Sequence, residues 1–197
     1  MKTGALKIRP RELAFDIDGV IADTFRAFVK TARETYGIDI EYEAITEYDF
    51  RQVVDIDDET SDEIVEMILE DPVGMGITPI RGAADVLARL SRFAPVCLVT
   101  ARTNRDAIME WIRKALGLED GGRLHLEATG SHEDKLPVLL KHGIRYFVED
   151  RLETCYLIRE SPVTPIVFEQ PWNRKHHPFP SVRNWEEIHE MVEWEIP

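Results

Sequence analysis

The stretch that decides the fold is Leu13-Ala14-Phe15-Asp16-Ile17-Asp18-Gly19-Val20. Its apolar residues predict a short buried strand, and two carboxylates and a glycine stand where that strand ends. Residues two apart in a strand point to the same face, so we expect Asp16 and Asp18 to lie close together. Like charges at that separation raise each other's pKa, and a bound cation is the commonest reason to keep such a pair. Gly19 permits a sharp turn, which would let a main-chain carbonyl join the site.

Length and net charge limit the classes of protein to which this chain can belong. Its 197 residues allow one domain, or one domain with a modest insertion, and they are enough to bury a substantial core. The formal net charge of −13 argues against a nucleic-acid polymer as partner, because proteins that bind such polymers present basic surfaces. A small phosphate ester is still compatible with this charge, because a local cation can reverse the sign of a site.

The sequence shows neither a targeting segment nor cysteine chemistry. No apolar run of signal length follows the first residues and no stretch is long enough to cross a bilayer, so we expect a soluble cytoplasmic protein without a membrane partner. Cys97 and Cys155 lie in apolar segments without metal-binding or redox spacing, and we interpret both as buried and inert. Residues 1–10 are interpreted as a short mobile leader.

Strand and helix patterns alternate along most of the chain. Continuous apolar runs predict strands at residues 12–17, 95–100, 124–128, 144–148 and 163–168. Helical periodicity separates these runs, and Asn184 is predicted to cap a final helix that ends near Glu195. This alternation predicts an α/β fold, a Rossmann-like parallel sheet of about five strands with helices on both faces.

Residues 19–80 do not follow that alternation. Phe25 and Phe28 recur at helical spacing and are interpreted as an ordinary buried helix face, which Gly37 ends. Residues 60–63 have the pattern of a capping box and predict the start of a second helix.

The surplus of helical sequence in this region predicts an insertion. A plain crossover between parallel strands needs one helix, and no strand is evident here. We therefore assign residues 1–20 and 80–197 to a catalytic core and residues 21–79 to a small helical cap folded over the edge of the sheet.

Polar residues fall where the predicted strands end, at the edge where open parallel sheets bind ligands. They are Asp16, Asp18, Thr100, Glu149 and Asp150. Lys135 stands at the start of the helix that precedes the fourth strand. Three polar strand ends on one edge, two of them acidic, favour a functional site over solvation.

The sequence Asp-x-Asp-Gly-Val after an apolar strand resembles the first motif of the haloacid dehalogenase superfamily, most of whose members are magnesium-dependent phosphatases. The resemblance implies that Asp16 is the nucleophile and forms an aspartyl phosphate. It also implies that Asp18 protonates the leaving oxygen and then activates water. A solvated turn or a calcium loop is the alternative interpretation of this stretch taken alone.

Leu98-Val99-Thr100-Ala101-Arg102 is similar to the second motif of that superfamily. The resemblance implies that Thr100 and the Ala101 amide hold the transferring phosphoryl group. A hydroxyl beside free helix N-terminal amides is an anion site in its own right, and a plain helix cap is the alternative interpretation of Thr100. Arg102 is interpreted as a substrate contact, with a surface position as the alternative.

Lys135 and Phe147-Val148-Glu149-Asp150-Arg151 resemble the third and fourth motifs. Lys135 would offset the repulsion between the nucleophile carboxylate and an anionic phosphate. The resemblance implies a Mg²⁺ site formed by Asp16, Asp150 and the main-chain carbonyl of Asp18, since Mg²⁺ prefers hard oxygen ligands. Glu149 is expected beside this set, orienting a ligand or water.

Gln170-Pro171-Trp172-Asn173, together with Tyr48-Asp49-Phe50, resembles the cytosolic-type 5′-(deoxy)ribonucleotidase branch of the superfamily. Tyr48 and Phe50 are candidates to stack on a base, and a loop anchor packed on the core is the alternative interpretation of Trp172. That branch often has a hydroxyl residue where this chain has Ala101. His176 and His177 are interpreted as surface-loop residues, since adjacent histidines do not easily face one ion.

These observations predict a magnesium-dependent phosphomonoesterase that acts on a small phosphorylated metabolite, a nucleoside or deoxynucleoside 5′-monophosphate among the candidates. A phosphatase of sugar phosphates or other small phosphates is the alternative within this class. A dehalogenase is disfavoured, because such enzymes need neither Asp18 nor Asp150. A magnesium-binding regulatory protein on the same fold is the non-enzyme alternative.

Overall fold

A parallel sheet of six strands forms the centre of the computed structural model, which describes residues 6–119 and 122–194. The strand order across the sheet is β3-β2-β1-β4-β5-β6, and every neighbouring pair is parallel. The strands are β1 (Leu13–Phe15), β2 (Val96–Thr100), β3 (Leu124–Ala128), β4 (Tyr146–Glu149), β5 (Thr164–Phe168) and β6 (Ser181–Val182). The helices are α1 (Thr24–Tyr36), α2 (Asp58–Glu70), α3 (Ala83–Leu90), α4 (Arg105–Leu116), α5 (Lys135–Lys141), α6 (Leu152–Ile158) and α7 (Trp185–Met191).

The short strand β1 lies in the middle of the sheet and sets the position of the site. Its three residues are all buried, and Phe15 pairs with Leu98 of β2 on one side and with Val148 of β4 on the other. Parallel strands end at the same edge, so the residues that follow β1, β2 and β4 meet there. The predicted α/β class and the parallel sheet are confirmed, with one strand more than expected.

The sixth strand, β6, is only two residues long. Val167 and Phe168 of β5 pair with Ser181 and Val182, which follow a Pro-rich loop. A two-residue strand gives too short an apolar run to be recognised by periodicity. It extends the sheet beyond β5, and α7 begins after it at the predicted cap, Asn184, whose side chain accepts a hydrogen bond from the Glu187 amide.

Both chain ends differ from the prediction. Ile8 is buried and forms a parallel bridge with Val192, so the leader interpretation is wrong for the described part of residues 1–10. Residues 1–5 of that leader lie outside the described residues. The last helix ends at Met191, earlier than predicted, and Glu195 also lies outside the described residues.

The segment between β1 and α3 holds two long helices and two 3-10 turns, Tyr42–Ala44 and Phe50–Gln52. Within it the structure describes isolated bridges but no strand. Helix α1 ends at Gly37 as predicted, whereas α2 begins earlier than the expected capping box, because the Asp57 side chain accepts from the Thr60 amide.

The two ends of this segment are held together where it leaves and rejoins the sheet. Ala22 forms an antiparallel bridge with Pro79, and the Asp23 amide donates to the Thr78 carbonyl at 2.9 Å. Apolar residues of the segment share one hydrophobic cluster with the sheet and α4. The segment is therefore packed directly over the strand edge at which the polar residues gather. In the described residues, no helix combines the length and apolar character that a membrane span requires.

Candidate active site

Lys135 connects the first strand to the fourth through two buried ion pairs. Its side chain is fully buried at the start of α5, and Nζ lies 2.9 Å from Asp16 Oδ1 and 2.9 Å from Glu149 Oε2. Burial disfavours the ammonium, but the two carboxylates raise the pKa of Lys135 and keep it charged. Lys135 thus supplies a fixed positive charge beside Asp16.

Asp16, Glu149 and Asp150 form a buried cluster in which one carboxylate oxygen of each lies within 4.8 Å of the others. Burial raises the pKa of Asp16 to about 8, although the Lys135 ammonium opposes the shift. Burial and the Glu149 carboxylate raise the pKa of Asp150 well above its usual range. Burial acts in the same direction on Glu149, but Lys135 outweighs it and lowers the pKa of that carboxyl.

The cluster has the chemistry of a divalent-cation site. Three carboxylates share one ammonium, so full ionisation leaves an excess of negative charge in a dry environment. Oδ1 of Asp150 is buried and has no hydrogen-bond partner among the described residues. The main-chain carbonyl of Asp18 accepts no backbone hydrogen bond within the described part of the chain. Hard, unpartnered oxygens of this kind suit a cation such as Mg²⁺, and the carboxylates of Asp16 and Asp150 fit one.

The side chain of Asp18 is held by two other residues. Arg102 donates from Nε to Oδ2 at 3.0 Å and from Nη2 to Oδ1 at 2.7 Å, and Thr24 donates to Oδ1 at 2.6 Å. Burial favours the protonated acid, but the charge of Arg102 and these hydrogen bonds outweigh it, so the pKa of Asp18 is lowered. Arg102 is buried and also donates to the carbonyl of Ile68 at 3.1 Å, so the surface position is wrong, whereas its place in the cavity lining leaves the substrate contact a prediction.

Thr100 and Ala101 lie beside Asp16 and Asp18 at the end of β2, and all four residues line the same cavity. Thr100 is not the cap of the next helix, because α4 begins at Arg105 with Asn104 as its cap. The Thr100 hydroxyl instead accepts a hydrogen bond from the Arg102 amide at 3.2 Å. The amides that follow Thr100 therefore belong to the turn after β2 and not to the first turn of α4.

Gly19 occupies the sharp turn after Asp18. Its φ is +71°, a left-handed conformation that favours glycine. A Cβ at this position would lie 2.2 Å from Oδ2 of Asp150 and 3.1 Å from Cζ2 of Trp172. Backbone conformation and close approach both require glycine here, as the turn predicted from sequence suggested.

A cavity of about 340 Å³ opens over Asp16 and Asp18. Its wall is apolar and comes from the segment between β1 and α3: Phe25, Phe28, Tyr48, Phe50, Val65, Ile68 and Leu69. Phe25 packs edge-on against Tyr48 and Phe50, with ring centroids 6.0 and 6.1 Å apart. The structure thus brings Tyr48 and Phe50 to the cavity, as the sequence prediction required.

The sequence pattern does not mark several residues of this site. The helical spacing of Phe25 and Phe28 predicts ordinary core, and no motif includes Thr24 or His132. Phe25 lies in the first turn of α1, shortly after the turn at Gly19. This closeness in sequence to Asp16 and Asp18 is the signal that could identify it as a site residue. His132 lies on the loop before α5, where neither periodicity nor a motif marks it, yet it lines the cavity and contacts the edge of the Tyr48 ring.

Trp172 contacts both Asp150, a candidate metal ligand, and Phe25 of the cavity wall. Its Nε1 donates to Oδ2 of Asp150 at 3.0 Å, and its ring stacks on Phe25 with centroids 4.0 Å apart. Trp172 is thus more than a loop anchor. His176 is exposed and His177 half-buried, and neither belongs to the acidic cluster found among the described residues. Cys97 and Cys155 are buried free thiols, as predicted.

Comparison with known proteins decides the family. Residues 9–195 match the family described as 5′ nucleotidase, deoxy (Pyrimidine), cytosolic type C protein. The chain belongs to this family. It is therefore a hydrolase of the phosphatase class, in the nucleotidase branch of the haloacid dehalogenase superfamily, and both the predicted superfamily and the predicted branch are confirmed. No curated protein sequence matches the chain.

Solved structures of the superfamily share the fold of this nucleotidase-family chain. A haloacid dehalogenase-like family hydrolase from Streptococcus pneumoniae is 12% identical with a TM-score of 0.59, covering 94% of this chain and 97% of that chain. CbbY from Rhodobacter sphaeroides, in complex with phosphate, is 17% identical with a TM-score of 0.52, covering 89% of this chain and 95% of that chain. A β-phosphoglucomutase from Clostridium difficile is 18% identical with a TM-score of 0.52, covering 92% and 96%.

Replacing Gly19 with alanine tests the close approach at the turn. We expect Gly19→Ala to abolish phosphatase turnover and to cost more stability than the about 1–2 kcal/mol of a left-handed alanine, because the new methyl group displaces Asp150. Gly37→Ala is the matched control, since Gly37 has φ +70° and open space around its Cβ position. Urea unfolding and p-nitrophenyl phosphate turnover measure the two effects. Equal losses in the two variants would show that the approach to Asp150 is unimportant.

The raised pKa of Asp16 predicts how the metal-free protein responds to pH. The pKa is about 8 in the folded protein against an ordinary value of 3.8, so between these pH values the folded state keeps a proton that the unfolded chain releases. Each rise in pH through this window therefore lowers the free energy of unfolding. A divalent cation would replace the proton, so we expect it to raise the melting temperature more at pH 8 than at pH 6.

Thermal unfolding in EDTA and in millimolar MgCl₂ measures this difference. Asp16→Asn should weaken both the pH dependence and the cation effect, whereas Asp39→Asn, at an exposed ion pair with Arg33, should change neither. A cation effect of the same size at both pH values would contradict the assignment of the cluster.

Proposed function

We propose that this phosphatase is a Mg²⁺-dependent phosphomonoesterase that acts through an aspartyl-phosphate intermediate on Asp16. A nucleoside or deoxynucleoside 5′-monophosphate is the proposed substrate class. The observation that supports the proposal most strongly is the position of Asp16, which is held by Lys135 and lies beside Asp150 at the floor of an apolar cavity.

Mg²⁺ would be held by the carboxylates of Asp16 and Asp150 and the main-chain carbonyl of Asp18. When bound, it would neutralise negative charge on the nucleophile and on the phosphate. Lys135 contributes a second positive charge that the protein fixes by burial, so the phosphate meets less repulsion from Asp16. Thr100 and Ala101, at the end of β2, are the proposed contacts of the transferring oxygens.

The reaction divides into two displacements at phosphorus. In the first, an oxygen of Asp16 forms a bond to phosphorus, the bond to the leaving oxygen breaks, and Asp18 gives that oxygen a proton. In the second, Asp18 takes a proton from water, the water oxygen attacks phosphorus, and inorganic phosphate leaves with Asp16 restored. Splitting hydrolysis in this way replaces one difficult step with two easier ones.

Arg102 and Thr24 hold Asp18 in a state suited to the second step. Both oxygens of Asp18 accept hydrogen bonds and its pKa is lowered, which favours a base over an acid. The first step needs a proton on Asp18, so we propose that its contact with Arg102 loosens when substrate fills the cavity.

The cavity wall favours a flat apolar leaving group. Phe25, Phe28, Tyr48 and Phe50 offer aromatic surface, which suits a nucleobase better than a polyhydroxylated sugar. Among the described residues that line the cavity, Arg102 is the only cationic side chain, and Asp18 and a main-chain carbonyl already engage it. One cationic side chain offers little charge to balance a second phosphate, which disfavours sugar bisphosphates. Sugar monophosphates remain the alternative substrates.

We further propose that residues 21–79 act as the cap of residues 1–20 and 80–197, and that they select the leaving group and exclude bulk water. The segment contributes most of the apolar cavity wall and none of the acidic cluster. A cytoplasmic location, which the family description names, is part of the same proposal.

Loss of the nucleophile tests the proposed chemistry. Asp16→Asn should lower turnover of p-nitrophenyl phosphate by about 10⁴-fold or more, because its amide cannot attack phosphorus. The variant should remain folded, and Asp39→Asn should keep full activity. The wild-type protein should need Mg²⁺, and acid quench during turnover should trap phosphate on Asp16. Retained activity in Asp16→Asn would overturn the assignment.

A substrate panel tests the proposed leaving group. We expect kcat/KM for nucleoside and deoxynucleoside 5′-monophosphates to exceed that for hexose and pentose phosphates by about 10-fold or more, as burial of one aromatic ring contributes over about 1.4 kcal/mol. Phe50→Ala should lower the value for nucleotides while changing that for small phosphates less. A preference for sugar phosphates would favour the alternative substrate class instead.

A further inference from the structure

The motif Gln170-Pro171-Trp172-Asn173 has no role in the proposed chemistry, yet it contacts the site at several points. It forms a 3-10 turn directly after β5, and Trp172 and Asn173 are almost completely buried. Buried polar groups need hydrogen-bond partners. Here the partners are atoms of Asp150, the candidate metal ligand, and of Gly19 in the turn after β1.

The two carboxylate oxygens of Asp150 have different surroundings. Oδ2 accepts a hydrogen bond from Trp172 Nε1 at 3.0 Å. Oδ2 also lies so close to Gly19 that a Cβ added to this glycine would be 2.2 Å from it. Oδ1 is buried and has no partner among the described residues. Among the described residues, a side-chain donor thus reaches one oxygen of Asp150 and not the other.

Asn173 and Gln170 fix the turn that carries Trp172. The side-chain amide of Asn173 donates from Nδ2 to the main-chain carbonyl of Asp150 at 2.7 Å and to that of Phe168 at 2.8 Å. Gln170 donates to the carbonyl of Gly19 at 2.6 Å and accepts from the Tyr42 hydroxyl at 3.0 Å. The indole N–H is therefore held against Asp150 by contacts on both sides of the turn.

The ring of Trp172 also meets the wall of the leaving-group cavity. It stacks on Phe25 with centroids 4.0 Å apart and an interplanar angle of 27°. Phe25 lines the cavity, so one side chain contacts both the candidate metal ligand and a residue that the leaving group would touch.

We propose that Trp172 is a positioning residue that keeps Oδ2 of Asp150 engaged and so selects Mg²⁺ over Ca²⁺. Mg²⁺ requires six ligands in a strict octahedron, whereas Ca²⁺ accepts six to eight and often takes both oxygens of one carboxylate. A carboxylate with only Oδ1 free offers less to Ca²⁺. The inference rests on the proposed function, since it assumes that Asp150 is a ligand of the cation.

Trp172→Phe removes the N–H donor and keeps an aromatic ring against Phe25. Trp111→Phe is the matched control, because Trp111 is a buried tryptophan whose Nε1 donates at 2.8 Å to the carbonyl of Ile77, away from the acidic cluster. Isothermal titration calorimetry with Mg²⁺ and with Ca²⁺ on the metal-free protein gives the two affinities for wild type and both variants. The ratio of affinities is informative, because a purely structural loss would weaken both cations alike.

We expect Trp172→Phe to lower Mg²⁺ affinity by about 10- to 100-fold, the usual effect of removing a partner of a metal ligand. Ca²⁺ affinity should fall less or rise, and Trp111→Phe should leave the ratio unchanged. An unchanged ratio in Trp172→Phe would overturn the inference and leave the proposed function standing. Absence of divalent-cation binding in wild type would overturn both, so the two failures are distinguishable.

A measurement on wild type covers the case in which Trp172→Phe does not fold. Indole N–H resonances of ¹⁵N-tryptophan-labelled protein can be assigned to Trp172 by elimination with Trp111→Phe, Trp185→Phe and Trp194→Phe. Addition of Mg²⁺ should shift the Trp172 resonance and leave that of Trp111 in place. A Trp172 resonance that does not respond to a bound cation would also overturn the inference.

Discussion

The cost of burying carboxylates beside one another is the constraint on which this structure depends. Asp16, Glu149 and Asp150 lie within a few ångströms of one another, and their only cationic partner among the described residues is Lys135. A buried ion pair can have little net effect on the stability of the fold, but a buried charge without a partner is strongly destabilising. Such a cluster is stable only if protons or a cation supply the missing positive charge. The same deficit makes the site able to bind a metal and to receive a phosphate.

The parallel sheet brings these groups together at the ends of its strands and in the turns that follow them. β1, β2 and β4 are neighbours, so the residues that follow them meet at one edge although they are far apart in sequence. Lys135 reaches the cluster because α5 begins next to that edge, and the turn after β5 approaches it from the other side. Each polar group therefore comes from a rigid element or from a turn fixed by several hydrogen bonds. That rigidity matters, because catalytic groups need positions held to fractions of an ångström.

The sequence predicted those parts of the site that depend on strand ends. Asp16 and Asp150 each follow an apolar strand and Thr100 ends one, and the parallel arrangement alone places them at one edge. Lys135 was predicted because the site needed a positive charge, and its contacts agree with that role.

Side-chain partners across the sheet edge could not be predicted in the same way. The pairing of Arg102 with Asp18 depends on how the turn after β2 directs one long side chain. Phe25 and Phe28 have the spacing of any buried helix face, and only the path of the inserted segment turns that face toward the cavity. The sequence fits Trp172 either as a loop anchor or as a site residue, because its contact with Asp150 depends on the path of the turn after β5.

The location of a bound cation tests the central claim most directly. A crystal of the protein grown with Mn²⁺ in place of Mg²⁺ gives an anomalous-scattering peak that marks the ion. We predict one strong peak between the carboxylates of Asp16 and Asp150, in contact with Oδ1 of Asp150. A peak only at exposed acidic residues, or none near this cluster, would contradict the account.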